Sequence, residues 1–203
     1  MVTIVDYGMG NLASVKNILR YLGYDSVISG DIKDITQADK LILPGVGHFG
    51  RAMEEINKRG MIEILNTQVM DKKVPVLGIC LGMQLLLSSS EEGEAEGLGW
   101  IPGQVTRFNP ADMGELKVPH MGWDYVKVEQ NNPIVNGVDD NSRFYFVHSY
   151  HAQCENRENC IATTEYGITF DSIIGRDNIY GAQFHPEKSH KFGMQLLNNF
   201  LKL

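Results

Sequence analysis

Residues 74 to 87 read Val74-Pro75-Val76-Leu77-Gly78-Ile79-Cys80-Leu81-Gly82-Met83-Gln84-Leu85-Leu86-Leu87, and this stretch decides the fold. A run of buried-strand character, Val74 to Ile79, gives way at Cys80 to an apolar segment (Met83, Leu85, Leu86, Leu87) expected as helix. Gly78 and Gly82 stand two residues to either side of the cysteine, where the absence of a Cβ lets strand and helix approach closely. A nucleophile on a sharp strand-to-helix turn is the elbow of α/β hydrolases, with cysteine here in place of serine. The following helix directs free N–H groups and its positive dipole end at the sulfur, which favours the thiolate. A buried structural cysteine is the bland alternative, and the glycine-flanked turn argues against it.

Outward from the elbow, the pattern is that of βα units around a parallel sheet. Val2 to Val5 reads as a strand. Asn11 reads as an N-cap, with Leu12, Val15, Ile18, Leu19 and Leu22 at helical spacing up to Gly23. Ser26 to Ile28 and Lys40 to Leu43 are further strands, and a helix is expected over about 51–69. Beyond residue 100 the period becomes two, in Tyr125 to Glu129, Arg143 to Val147 and Ile173-Ile174, as antiparallel additions to the sheet require. Asn178 to Gln183 is a strand, and a last helix from about Ser189 carries Phe192, Leu196, Leu197 and Phe200 as its stripe. The acidic run Glu91 to Gly97 reads as a loop. One α/β domain over residues 1–203 accounts for the whole pattern.

Composition narrows the function. Hydrophobic residues at 43% and charged residues at 21% describe an ordinary globular chain. A net charge of -7 is the wrong sign for a surface that lives on nucleic acid or anionic lipid. No apolar run approaches the roughly 18 residues of a membrane span, and no basic stretch precedes the first strand. Three cysteines, Cys80, Cys154 and Cys160, form neither a disulfide framework nor a zinc spacing, so a reducing, cytoplasmic setting is expected. Cys154 and Cys160, in a polar stretch, read as structural. No metal site and no cofactor are expected.

A cysteine nucleophile needs a base, usually remote in sequence. Of six histidines, His185 stands out, because Gln183-Phe184-His185-Pro186-Glu187 follows a strand and sets a carboxylate two residues beyond the imidazole. Glu187 is placed to fix the tautomer and stabilise the imidazolium. His120, His148 and His151 lie among aromatics and read as hydrogen-bonded structural residues, His48 and His190 as surface ones. Pro44-Gly45-Val46-Gly47 follows a strand with glycines that free backbone N–H groups for an oxyanion, or that simply make a tight turn. Asp6-Tyr7-Gly8-Met9-Gly10-Asn11 is a poor phosphate loop, with Ala13 at the third glycine position.

With these motifs assembled, the chain resembles the class I glutamine amidotransferases. Gly78-Ile79-Cys80-Leu81-Gly82-Met83-Gln84 and Gln183-Phe184-His185-Pro186-Glu187-Lys188-Ser189 match their two signatures. The resemblance is closer still to the glutaminase subunits of histidine biosynthesis, through Asp6 to Leu12, Leu43 to Gly47, Lys117 to Trp123 and Tyr145 to Tyr150, in order along the whole chain. It implies a three-layer, flavodoxin-like sandwich with a mixed, mostly parallel central sheet. It implies a triad in which Cys80 attacks the side-chain amide of glutamine, His185 shuttles the proton and Glu187 orients His185. The oxyanion hole would come from Leu81 and the Gly45, Val46, Gly47 loop, and substrate would be held by Gln84, Ser149 and Tyr150. The implied partner is a (β/α)8-barrel cyclase/synthase subunit, met by His120, Met121, Trp123, Asp124 and Lys188, which uses the ammonia to form imidazole glycerol phosphate and AICAR.

Asp124 departs from the resemblance, since those subunits usually carry asparagine after His-Met-Gly-Trp. A carboxylate at the partner surface bears on which partner fits. Paralogous glutaminases that feed bacterial surface-sugar amidation look similar over the same motifs. A free-standing cysteine peptidase or γ-glutamyl hydrolase would use the same elbow and histidine, whereas a non-catalytic binding module would not need Cys80, His185 and Glu187 together.

Overall fold

The computed structural model describes residues 1–203. Its first part runs β1 (Val2–Val5), α1 (Leu12–Tyr21), β2 (Ser26–Ser29), α2 (Ile32–Thr36), β3 (Lys40–Gly45), α3 (Phe49–Lys58), α4 (Met61–Asn66), β4 (Val76–Cys80) and α5 (Leu81–Gln84). Side chains alternate across these strands. Ile4, Ile42, Leu77 and Ile79 pack with Val15 and Leu19 of α1 on one face. Val5, Leu41, Leu43 and Val76 pack with Ala52, Ile56 and Leu65 of α3 and α4 on the other. A parallel sheet buried on both faces is the middle of a three-layer sandwich.

The second part adds β5 (Ser89–Ser90), β6 (Ala95–Glu96), β7 (Gly103–Arg107), β8 (His120–Tyr125), β9 (Lys127–Val128), β10 (Arg143–His148), β11 (Tyr150–Cys154), β12 (Cys160–Tyr166), β13 (Ile168–Arg176), β14 (Ile179–Ala182) and α6 (His190–Leu201). The main sheet has the order β2-β1-β3-β4-β14-β13-β11-β7-β5-β6, with β12 on β13 and β9 on β12. From β2 to β14 the pairing is parallel, and β13, β11 and β7 continue it antiparallel. The parallel half follows the flavodoxin-like order, whose ligands sit beyond the carboxyl ends of the strands. Cys80 is the last residue of β4, at that edge.

Several sequence expectations are corrected. The helix over 51–69 is broken at Gly60 (φ 66°), whose left-handed backbone starts α4, and it ends in a π turn, Thr67–Asp71. Asn11 stands at the start of α1 but makes no side-chain cap. The helix after Cys80 is one turn only. Leu86 N and Leu87 N donate to Met83 O and Gln84 O, while Leu98 N and Gly99 N take the carbonyls of Leu85 and Leu87. Leu85, Leu86 and Leu87 are all fully buried, so no single helical face would have satisfied them. β10 is not an addition to the main sheet but pairs with β8 in a two-stranded sheet of its own. The acidic loop carries the small hairpin of β5 and β6.

Candidate active site

Cys80 adopts φ 53° and ψ -110°, a conformation that side-chain-bearing residues rarely take. The neighbouring glycines make it attainable. A Cβ on Gly82 would overlap the Leu43 carbonyl, and one on Gly78 would lie 2.5 Å from Gly82 O, so strand and turn interlock only as glycine. The strain of the elbow is thus held by packing on both sides. The sulfur, in a residue 7% exposed, lies 3.9 Å from Val147 O and 3.8 Å from Gln183 Nε2.

His185 reaches the same place from the end of β14. Its backbone N–H donates to Tyr145 O at 2.9 Å, and Ser189 Oγ donates to its carbonyl at 2.6 Å while accepting from Tyr145 N at 3.0 Å. Pro186 opens the short 3-10 turn that brings Glu187 back beneath the ring. Nδ1 lies 2.8 Å from Glu187 Oε1, with both side chains buried. Nε2 has no hydrogen-bond partner. It shares the cavity with Cys80 without the alignment of a closed bond. Burial opposes charging of this ring, but Cys80 and Glu187 outweigh it and hold the His185 pKa up at about 10. A cysteine, a histidine poised to carry a proton and a buried carboxylate behind it are equipment for acyl transfer through a thioester.

These groups open onto a cavity of about 320 Å³ whose wall includes Val46, Gly47, Leu81, Gln84, Ser149 and Tyr150. Gln84 Nε2 donates to Tyr150 O at 2.9 Å and to Gln183 Oε1 at 3.1 Å. Gly45 is the exception among the expected donors. It pairs with Cys80 in the sheet register and a Cβ there would overlap the Tyr7 hydroxyl, so it supports the elbow from below and does not line the cavity. Glu92, His148 and Gln183 were missed by the sequence reading. Glu92 sits in the acidic loop, and its Oε2 accepts from Phe49 N at 2.7 Å. Gln183 was visible as the residue two before His185, the spacing that puts both on one side of an extended chain.

The expected partner residues divide by strand face. Met121, Trp123 and Tyr125 point outward from β8, at 61%, 42% and 53% exposure, and Trp123 stacks on His190 at 5.2 Å. Lys188 is exposed, with Nζ 5.8 Å above the Tyr145 ring. His120 faces inward and is buried, so its side chain is not available to a partner. Asp124 uses both oxygens within the chain, Oδ1 accepting from Tyr125 N at 2.8 Å and Oδ2 lying 3.3 Å from His120 Nε2. His151 is buried and hydrogen-bonded as expected of a structural histidine, whereas His148, also buried, lines the cavity, and burial with the neighbouring His120 pushes it down to about 3. Cys154 and Cys160 are free thiols whose ionisation burial opposes. No cluster of metal-ligating side chains forms and no helix is long and apolar enough to cross a membrane.

The class that this fold and site define is matched over nearly the whole chain: the family model described as Glutamine amidotransferase class-I covers residues 3–203. A glutamine amidotransferase crystal structure superimposes with a TM-score of 0.73 at 18% identity, covering 99% of this chain and 97% of that one. PurLQS from Thermotoga maritima does so at 0.76 and 18%, with the same coverage. Sequence relatives are nearer. Imidazole glycerol phosphate synthase subunit HisH 2 of Methanococcus maripaludis is 52% identical, covering 100% of this chain and 99% of that protein. The protein of the same name from Pseudomonas aeruginosa is 48% identical over the full length of both, and subunit HisH of Sulfurimonas denitrificans is 52% identical over 100% of this chain and 98% of its own. The chain belongs to the class-I glutamine amidotransferases and, among them, to the HisH family.

Proposed function

We propose that residues 1–203 act as one glutaminase unit in which Cys80, His185 and Glu187 hydrolyse glutamine and deliver ammonia to a (β/α)8-barrel cyclase/synthase subunit in histidine biosynthesis. The observation that carries this reading is the buried His185, bonded to Glu187 on one side and open toward Cys80 on the other. The sulfur attacks the side-chain amide carbon of glutamine. The tetrahedral oxyanion is met by N–H groups of Leu81 and of the Val46-Gly47 segment. His185 gives its proton to the departing ammonia, leaving a thioester, and then takes one from the water that releases glutamate. Gln84 and the backbone of Ser149 and Tyr150 hold the body of the substrate. The Glu92 carboxylate, on the cavity wall, suits its α-ammonium group.

The outward row Met121, Trp123 and Tyr125, with Lys188 beside it, is the face offered to the barrel subunit, which would form imidazole glycerol phosphate and AICAR with the ammonia. A reducing, cytoplasmic setting suits three free cysteines. The decisive experiment measures glutamate release by the pure chain and by its complex with the co-purifying synthase, with Cys80→Ala as control. Glutamine turnover that survives Cys80→Ala overturns the reading. Identification of the synthase that co-purifies separates the histidine route from surface-sugar amidation.

A further inference from the structure

β8 and β9 are one extended stretch broken at Val126, and its two parts lie on different partners. β9 pairs with β12 at Ala162 and Thr163, while β8 turns away to pair with β10 along its whole length. Where they part, β12 runs on through Thr164, Glu165 and Tyr166 with β13 on one side and no paired strand on the other. The wedge so formed is a groove of about 810 Å³, lined from one arm by Tyr125 and Lys127 and from the other by Thr164 and Glu165.

Four carboxylates line this groove, Asp124, Glu129, Asp140 and Glu165, against a single cation, Lys127. Lys127 already pairs with Glu129 at 3.3 Å, and Glu129 also accepts from Thr163 Oγ1 at 2.8 Å. Asp124 is turned toward Tyr125 N and His120. Asp140 and Glu165 are exposed and enter none of the ion pairs of the chain. Acidic residues alone are ordinary surface, but Thr164 is not. It is 2% exposed, and its Oγ1 has no hydrogen-bond partner although the residue lines the groove. A buried hydroxyl without a partner is unfavourable, and beside unpaired carboxylates the group that satisfies both is a cation bearing N–H donors.

We propose that this groove receives a basic side chain, arginine or lysine, of the synthase subunit, bonded to Thr164 Oγ1 and paired with Asp140 and Glu165. The occupant belongs to the synthase because the groove continues the docking face. Tyr125 is common to both, in line with Met121 and Trp123 on the outward side of β8. An apolar row that runs into a charged cleft has the anatomy of an interface, with a hydrophobic centre and a polar rim. Opposite charge at such a rim steers the encounter and fixes its register. The choice of partner rests on the proposed function of the docking face; the surplus of negative charge and the unpartnered hydroxyl do not.

The test titrates the full chain with the co-purifying synthase by calorimetry at low and at high salt. The double variant Asp140→Asn, Glu165→Gln touches neither the triad nor the glutamine pocket. It should weaken binding roughly tenfold or more at low salt, lose most of that difference at high salt, and leave glutamate release by the isolated chain unchanged. Thr164→Val keeps the shape of the side chain and removes the hydroxyl. It should weaken binding by roughly three- to tenfold while its urea midpoint stays no lower than wild type, since an unpaired buried hydroxyl contributes nothing to the free chain. A Thr164 that served the fold alone would show the reverse, a lower midpoint with unchanged binding. An unchanged Kd at low salt in either variant overturns the proposal. Self-association of the wild-type chain that the double variant abolishes also overturns it, by giving the groove to a second copy. Failure of the glutaminase reading looks different: the wild-type complex forms but turns over no glutamine, while the titrations still decide the groove.

Discussion

Gln183 directs its Nε2 to the Cys80 sulfur at 3.8 Å while its Oε1 accepts from Gln84 at 3.1 Å. The second bond fixes the orientation of the first, because an amide whose oxygen is engaged by a donor must present its NH₂ to the other side. The sulfur therefore has a fixed dipole aimed at it from the residue that follows β14, on the segment that also delivers His185. This matters more than the helix behind Cys80, which is a single turn and too short for a substantial macrodipole.

Gln183→Leu should lower kcat/KM for glutamine by roughly tenfold, the low end of what a hydrogen bond to a charged group contributes. Gln183→Glu should be worse, because a carboxylate beside the sulfur opposes the thiolate. Steady-state kinetics with iodoacetamide alkylation of Cys80 against pH tests both. Alkylation profiles identical across the three proteins would remove Gln183 from the site.

Cys80→Ala should reduce glutamine hydrolysis by on the order of 10⁴ or more, since the covalent step has no other nucleophile. The synthase in the complex should still run on added ammonium. Loss of both activities would instead mean that the elbow is needed for docking.

His185→Ala should approach the cysteine change in severity, with Glu187→Gln milder. The pH dependence carries the sharper test. With its pKa at about 10, above the ordinary 6.5 or so, His185 takes up its proton more readily in the folded chain. Its contribution to stability is full below about pH 6.5 and is lost as pH rises toward 10. Glu187→Gln removes one of the two groups that raise it. The alkaline limb of thermal stability, measured by calorimetry across pH, should shift to lower pH in that variant, and an unmoved limb would disconnect Glu187 from the ring.

The elbow, the His185-Glu187 pair and the parallel strands were legible because each is written in a few consecutive residues. Gly78, Cys80 and Gly82 announce a turn through local stereochemistry alone. Apart from the break at Gly60 and the missing cap at Asn11, the corrections fall where partners outside the local stretch decide. Leu85 to Leu87 satisfy a helical pattern but sink into a buried loop held by Leu98 and Gly99. β10 alternates like any sheet strand, and nothing local says that it pairs with β8 apart from the main sheet. Asp124 reads as a surface charge until His120, four residues earlier, is seen beneath it. Glu92 reads as one acid among several in a loop, and only the fold brings it to the cavity wall.

Gly82→Ala tests the interlock of strand and turn. The added Cβ would meet the Leu43 carbonyl, a backbone atom in the middle of β3 that cannot turn aside. Overpacking of a rigid core site typically costs about 1–3 kcal/mol, and a backbone clash belongs at or above the top of that range. Urea unfolding of the variant should show a midpoint well below wild type with an unchanged slope. An unchanged midpoint would mean that the turn is not locked against β3.

The isolated chain should be a poor glutaminase that becomes efficient when the synthase docks with its acceptor bound. Tyr7 is fully buried and its hydroxyl donates to Pro44 O at 2.8 Å, which fixes the peptide entering the Gly45-Val46-Gly47 loop. Beyond that point restraint ends. Val46 is 41% exposed and Gly47 sits at φ 110°, a conformation only glycine holds without strain, so the Val46-Gly47 peptide is free to present either its N–H or its carbonyl to the cavity. Loss of one oxyanion donor costs on the order of 10²–10³ in rate, so one peptide rotation supplies regulation of that size. The partner must bind the donor-in form more tightly, because a ligand indifferent to the two forms shifts nothing. Glutamate release by the chain alone, then with synthase and an acceptor analogue, measures the ratio. Gly47→Ala, which resists the positive φ, should compress that ratio toward one by fixing the loop in a single form. Equal turnover with and without partner in the wild-type chain would dispose of the gate and favour a free-standing hydrolase.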